Sequence, residues 1–193
     1  MFFLTAIFLQ QVRGLTALET GLQFLPMGFA AITSAVVASQ LVTRIGTRPV
    51  QLFSSVLSVA GLLLLAGAGA DGSYATELLP GLVLFGAGII GIGTPAQIAA
   101  ADATHEDAGA VSGLVSTGYQ VGGALGLAVI STFATSHVNA LLAGGTALED
   151  ALVAGFHRGL LLAALLALVN VALSATSRQL VPDAEQVAEL AAA

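Results

Sequence analysis

Charged residues are scarce in this sequence, and their scarcity excludes most soluble folds. They make up 8% of the 193 residues, whereas hydrophobic residues make up 56%. Soluble domains contain about 25% charged residues, and a soluble chain with so few would expose apolar patches large enough to cause aggregation. The composition therefore predicts an integral membrane protein.

Cysteine, tryptophan and lysine are all absent. Without cysteine the chain cannot form a disulfide or a thiolate metal site, and we predict no metal and no cofactor. The five basic residues are arginines and the net charge is −6. This balance argues against a nucleic-acid partner, because phosphate binding requires clustered cations. Without tryptophan, any aromatic anchors at the membrane surface must be phenylalanine or tyrosine.

The few charges lie between long uncharged runs, and these runs predict the membrane spans. A helix needs about 20 apolar residues to cross the hydrocarbon of a bilayer. The predicted fold class is therefore an all-α polytopic membrane helix bundle, with five full transmembrane helices and one truncated N-terminal helix. The full spans are expected at 18–42, 49–67, 78–100, 108–132 and 156–176, and the short segment at 1–12.

The first segment is too short to cross a bilayer alone. A helix over residues 1–12 would reach about 18 Å, against about 30 Å of hydrocarbon. We expect it either to lie partly in the interface or to lack residues that completed it. The stretch 134–155 is the only connection long enough for an element of its own. A membrane domain over 1–177 is expected to be followed by an acidic, alanine-rich cytoplasmic tail at 178–193.

Several of the charges outside the spans are explained by helix capping. Thr16 and Glu19 have the spacing of a capping box, in which each side chain binds the backbone amide of the other residue. Thr146 and Glu149 repeat the spacing, and a related pattern begins at Thr104. Caps satisfy the free amides at a helix start, so these carboxylates need no further function. We predict no catalytic residue.

Glycine spacing predicts close helix packing in the fifth span. Gly118, Gly122 and Gly126 recur every four residues and so share one helix face. Such a face lets another helix backbone approach closely in lipid; a sharper hypothesis is that the surface slides against a partner during a transport cycle. The pattern Gly86-Ala-Gly88-Ile-Ile-Gly91 has the spacing of a dinucleotide-binding loop, but it lies in an apolar span and follows no strand. Helix packing is predicted there too.

Polar side chains within the predicted spans are candidates for the lining of a cavity, because polar groups in lipid usually face the bundle interior. The candidates for a substrate cavity are Gln10, Gln97, Tyr119 and Gln120. No aspartate, glutamate or histidine is expected at membrane depth, so the sequence predicts no proton relay within this chain.

Two arginines flank a glycine in the connection between the second and third predicted spans. Arg44, Gly46 and Arg48, followed by Pro49, predict a tight basic turn. One interpretation is an anchor at the membrane interface that follows the positive-inside rule. The other is a hinge loop whose side chains pair with helix ends.

Four stretches of the sequence occur in a recognisable order: FLQQVRGLTALETGLQFLPMG, SQLVTRIGTRPV, DGSYATELLPGLVLFGAGIIGIG and EDAGAVSGLVSTGYQVGGALGLAVIST. Together they resemble the carboxy-terminal half of major facilitator superfamily transporters, most closely the fourteen-span drug:proton antiporter branch, and the resemblance covers nearly the whole chain. It implies a six-helix half that packs against an N-terminal half, missing here, around a midplane cavity. The implied function is proton-coupled multidrug efflux across the plasma membrane, with small hydrophobic or amphipathic substrates. The coupling carboxylates would lie in the other half.

The same resemblance assigns a role to the basic turn. Arg44, Gly46 and Arg48 match the cytoplasmic loop motif between the second and third spans of each half. Ser39 stands where that motif usually has glycine, and Thr43 where an acidic residue is common; these two departures argue against a full gating charge network. By our span assignment, one side of the membrane has three arginines and the other has two. This difference is too small to determine the orientation of the chain, which therefore rests on the resemblance.

The leading hypothesis is a truncated half of an efflux transporter that does not transport alone. The alternative is a small non-transporting membrane protein that oligomerises through the glycine face of the fifth span. An intramembrane enzyme is disfavoured because the spans contain no recognisable catalytic group.

Overall fold

The computed structural model describes residues 1–89 and 108–176, and every regular element within these ranges is a helix. The helices in these ranges are α1 (Phe2–Val12), α2 (Ala17–Ile45), α3 (Thr47–Leu65), α4 (Tyr74–Ile89), α5 (Ala108–Ala143) and α6 (Leu148–Thr176). Helix α1 ends in a π-helical turn at Phe8–Val12, and α4 begins with another at Tyr74–Leu78.

Four of these helices are long and apolar enough to cross a membrane. They are Ala17–Ile45, Thr47–Leu65, Gly109–Ala143 and Leu148–Leu173. The predicted multi-pass, all-α bundle is therefore confirmed in its class. The predicted span at 78–100 is described only as far as Ile89, so the count of five full spans stays a prediction. The predicted tail at 178–193 and the cap pattern at Thr104 lie outside the described residues.

Helix α5 is longer than the sequence predicted. It continues past 132 to Ala143, and α6 begins at Leu148, so the stretch 134–155 contains no separate element. Residues 132–143 contain neither proline nor glycine, and the helix ends where Gly144 and Gly145 follow. Gly145 has φ +85°, a conformation that favours glycine. As a consequence His137 lies within a helix rather than in a connection.

Helix α2 begins as predicted, with a capping box. The Glu19 amide donates to the Thr16 hydroxyl at 3.3 Å, and the Thr16 amide donates to the Glu19 carboxylate at 2.8 Å. The helix is interrupted at Phe24, whose amide donates to the Gly21 carbonyl in a tighter turn. Pro26 follows and has no amide hydrogen to continue the α-helical pattern.

Helix α6 lies at the centre of the bundle and packs against α1, α3 and α5. The rings of Phe8 and Phe156 stack with their centroids 4.2 Å apart. Leu9, Leu65 and Leu160 are completely buried in the same apolar cluster. The short helix α1 is therefore held against the bundle by its buried face, whatever its relation to the lipid.

Helix α4 packs closely on α2 and α3 through glycines. A Cβ at Gly61 would lie 2.5 Å from the Phe85 amide nitrogen and 2.7 Å from the Gly81 carbonyl oxygen. A Cβ at Gly86 would collide with the Met27 backbone, and one at Gly88 with Ser54 and Ser58. The described glycines of the Gly86–Gly91 pattern thus serve helix packing, as predicted. Gly91 lies outside the described residues.

Candidate functional site

A polar cluster joins the end of α1 to the beginning of α4. Arg13 follows α1, and its Nη2 donates to the Glu77 carboxylate at 3.2 Å and to the Gly69 carbonyl at 2.8 Å. The Gly69 amide in turn donates to the Glu77 carboxylate at 2.8 Å. Arginine, glutamate and the backbone of the α3–α4 loop thus form a closed set of hydrogen bonds.

The Arg13 guanidinium is held in a partly desolvated position. Its Cζ atom lies 5.3 Å from the centroid of the Phe8 ring, a distance at which a cation is attracted to an aromatic face. Burial lowers the pKa of Arg13, while the charges of Glu77 and Asp71 act in the opposite direction. The group remains a cation at any physiological pH, so the salt bridge between Arg13 and Glu77 links the end of α1 to α4.

Two further contacts hold the loop and the start of α4. His157 Nε2, on α6, lies 2.8 Å from the Ala68 carbonyl oxygen, and the hydroxyl of Tyr74, the first residue of α4, donates to the Gln23 backbone carbonyl at 2.6 Å. The loop between α3 and α4 is therefore tied to α1 and α6, and the start of α4 to α2, at one end of the bundle. Within the described part of the chain, no group of histidine, aspartate and glutamate side chains could hold a metal ion.

Sequence reasoning missed this cluster. It assigned no role to Arg13, Glu77 or His157. The available signal was that Arg13 follows one apolar run and Glu77 precedes another. Their proximity depends on how α1 and α4 pack, which spacing along the chain does not give.

The basic turn lies at the junction of α2 and α3. Gly46 has φ +82° and ψ 173° and separates the two helices by a single residue. Arg44 lies in the last turn of α2, where a cation is favoured by the helix dipole. Arg48 donates to the Ala175 carbonyl near the end of α6. This contact with a helix end agrees with the hinge-loop interpretation and leaves the role of the motif in transport a prediction.

Three of the four predicted lining residues lie on exposed helix surfaces. Gln10 lies on the exposed side of the π-helical turn of α1, and Tyr119 and Gln120 are exposed on α5. Gln97 lies outside the described residues. A shared cavity for these residues therefore stays a prediction.

The glycine face of α5 has no neighbour among the described residues. A Cβ added at Gly118, Gly122 or Gly126 would meet no atom within 4 Å. In the most apolar 18-residue segment of each helix, 6% of the segment is buried in α5 and 11% in α2, compared with 44% in α3. If these glycines pack against a helix, that helix must come from outside the described chain.

Comparison with known proteins places these helices in a wider context. A family model described as the Major Facilitator Superfamily matches residues 1–127.

The puromycin resistance protein pur8 of Streptomyces alboniger is 34% identical over 147 residues, which make up 74% of this chain and 29% of that protein. The lincomycin resistance protein of Streptomyces lincolnensis is 35% identical over 128 residues, or 66% of this chain and 27% of that protein. The tetracenomycin C resistance and export protein of Streptomyces glaucescens is 31% identical over 140 residues, or 72% of this chain and 26% of that protein. The matched region spans less than a third of each relative.

Proposed function

This chain belongs to the Major Facilitator Superfamily, and on that premise we propose that it is the carboxy-terminal membrane half of a multidrug exporter. The exporter would be a proton-coupled antiporter of the fourteen-span branch, located in the plasma membrane. Its substrates would be small hydrophobic or amphipathic molecules. The relatives' names support this proposal, since they describe resistance to or export of antibiotics.

The observation that carries the proposal is the uneven burial of the helices. Few residues of α2 and α5 are buried, and the α5 face contains glycines with no neighbour among the described residues. Transporters of this kind place two halves face to face around a midplane site. We infer that α2 and α5 contact the other half and that Tyr119 and Gln120 border the substrate path there.

The positions of the carboxylates support a transporter in which proton coupling resides outside this chain. A proton relay requires an ionisable group at membrane depth. Asp71 lies in a loop, and the other described carboxylates lie near the starts of helices: Glu19, Glu77, Glu149 and Asp150. We therefore propose that the coupling carboxylates belong to the rest of the transporter and that this chain alone does not transport.

A chimera tests the proposal. The 147 residues that match the puromycin resistance protein would replace their counterparts in that protein, and puromycin resistance and accumulation would be measured in a sensitive host. We expect the chimera to retain resistance and this chain alone to give none. A Tyr119→Ala, Gln120→Ala variant of the chimera should insert normally but lose resistance. A chimera that inserts at normal levels without extruding drug would contradict the exporter assignment, and proton-dependent extrusion by this chain alone would contradict its assignment as a half.

The alternative of a non-transporting oligomer uses the same glycine face and is separable. Crosslinking of the chain in detergent, with Gly122→Leu for comparison, measures self-association. A stable homo-oligomer that the substitution abolishes would favour the alternative. A monomer in both cases would favour the half-transporter.

A further inference from the structure

A groove of about 520 Å³ runs between α5 and α6 and is lined by these two helices alone. Its floor is apolar and includes Phe133 of α5 with Leu161 and Leu165 of α6. Arg158 lies one helical turn before Leu161, and His137 one turn after Phe133. Because α5 and α6 are antiparallel, both basic side chains lie toward the same end of the groove, nearer the short turn at 144–147.

The groove offers an incoming molecule few polar groups besides these two. The Ser136 hydroxyl already donates to the Phe133 carbonyl of its own helix at 3.0 Å. Arg158 is exposed, and the described part of the chain gives its guanidinium no ion-pair or hydrogen-bond partner. A cation beside an apolar surface in a membrane protein is unfavourable unless it is paired or reaches the interface.

The position of Arg158 along α6 places it near one membrane surface. Ala175, at the far end of α6, accepts a hydrogen bond from Arg48 in the basic turn. Arg158 lies about 26 Å before Ala175 along the helix, close to the thickness of the hydrocarbon, about 30 Å. With the basic turn at one interface, Arg158 lies near the opposite one, and Leu161 and Leu165 descend from it into the lipid.

We propose that this groove is a binding site for an anionic phospholipid. The Arg158 guanidinium binds the headgroup phosphate, for which its planar donors are well suited, with His137 beside it. One acyl chain lies along Phe133, Leu161 and Leu165. A protein helix in the same place would bury the unpaired cation, whereas an anionic lipid neutralises it and covers the apolar floor. The site is independent of whether the chain transports.

The absence of tryptophan from the chain allows a direct test. Phe133→Trp places one fluorophore in the groove. Thr132→Trp places one at nearly the same depth, on the exposed neighbouring position that does not line the groove. The full chain would be reconstituted in vesicles that contain phosphatidylglycerol or phosphatidylcholine with brominated acyl chains. Quenching as a function of lipid composition then gives the relative binding constant of the two lipids at each position.

We expect phosphatidylglycerol to be preferred about fivefold at Trp in position 133, the effect of one cation on an anionic lipid, with no preference at position 132. Arg158→Gln should abolish the preference and Arg158→Lys should retain part of it, with unchanged helical circular dichroism in both. Equal quenching by both lipids at position 133 would overturn the proposal. So would a preference that survives Arg158→Gln, or no quenching by either lipid, which would mean that protein covers the groove.

Discussion

Glu77 accepts a hydrogen bond from Arg13 at 3.2 Å and thereby ties the first turn of α4 to the residue after α1. The Arg13 side chain is 10% exposed, whereas that of Glu77 is 34% exposed. Fully exposed ion pairs contribute little to stability because solvent screens them. Here the arginine is mostly shielded, so loss of its partner leaves a cation with incomplete solvation.

Removal of the Glu77 charge should destabilise the fold moderately. Glu77→Gln retains an oxygen that can accept from the Gly69 amide, so we expect the free energy of unfolding to fall by about 1–2 kcal/mol. Glu77→Ala removes both interactions and should cost about 2–3 kcal/mol. Unfolding in mixed micelles with increasing dodecyl sulfate, followed by circular dichroism, measures both values. A double-mutant cycle with Arg13→Gln should give a coupling free energy of about 1 kcal/mol. A coupling of zero would show that the Arg13–Glu77 salt bridge does not stabilise the fold.

The helices could be predicted from the sequence because the bilayer imposes their length. The observed α3 begins two residues before the predicted start of its span at 49, and the predicted break at the basic turn is found at Gly46. The sequence also contained the capping box at Thr16. The end of α5 was predicted wrongly, because the thickness of the bilayer limits the length of a span but not the length of the helix that contains it. A helix can continue beyond the lipid until glycine ends it, as Gly144 and Gly145 do here.

The contacts between helices could not be predicted in the same way. Spacing along α5 identified a glycine face, but not that the described chain leaves Gly122 uncovered while it buries Gly61 against α4. Both residues lack a Cβ atom, which is what lets another helix approach closely. Which of them is used depends on the arrangement of the helices in three dimensions, and a single sequence does not contain that information in its periodicity.

Gly61 and Gly122 should therefore respond oppositely to alanine. At Gly61 the new Cβ would lie 2.5 Å from the Phe85 amide nitrogen, so α3 and α4 must separate, at a cost of about 1–3 kcal/mol. At Gly122 no atom lies within 4 Å, and alanine should stabilise the isolated chain by up to about 1 kcal/mol through its higher helix propensity. The same unfolding titration measures both variants. Equal effects at the two positions would contradict the packing of α4 described above.

Gly46 should be required for its backbone conformation. Its φ of +82° with ψ of 173° lies in a region that is essentially restricted to glycine, where other residues are strained by on the order of 1–3 kcal/mol. Gly46→Ala should lower stability by this amount and weaken the contact of Arg48 with the end of α6. Gly28→Ala, in an ordinary helical position with no atom within 4 Å, serves as the control and should be neutral or stabilising. Identical melting of the two variants would mean that the turn can relax.

The Ser55 hydroxyl donates to Asn170 Oδ1 at 2.9 Å and so joins α3 to α6 within the bundle. Ser55 is almost fully buried, so water cannot replace the donor when it is removed. Hydrogen bonds between membrane helices contribute about 0.6 kcal/mol on average and up to about 1.7 kcal/mol, and Ser55→Ala should cost an amount near the upper end of this range. Ser34→Ala is the matched control, since that hydroxyl donates to the Ala31 carbonyl of its own helix at 3.0 Å, and its loss should change stability little.

The double variant Ser55→Ala, Asn170→Leu should be more stable than the sum of the single effects predicts, because the two partners are then removed together. Strict additivity would show that the two side chains do not interact in the membrane.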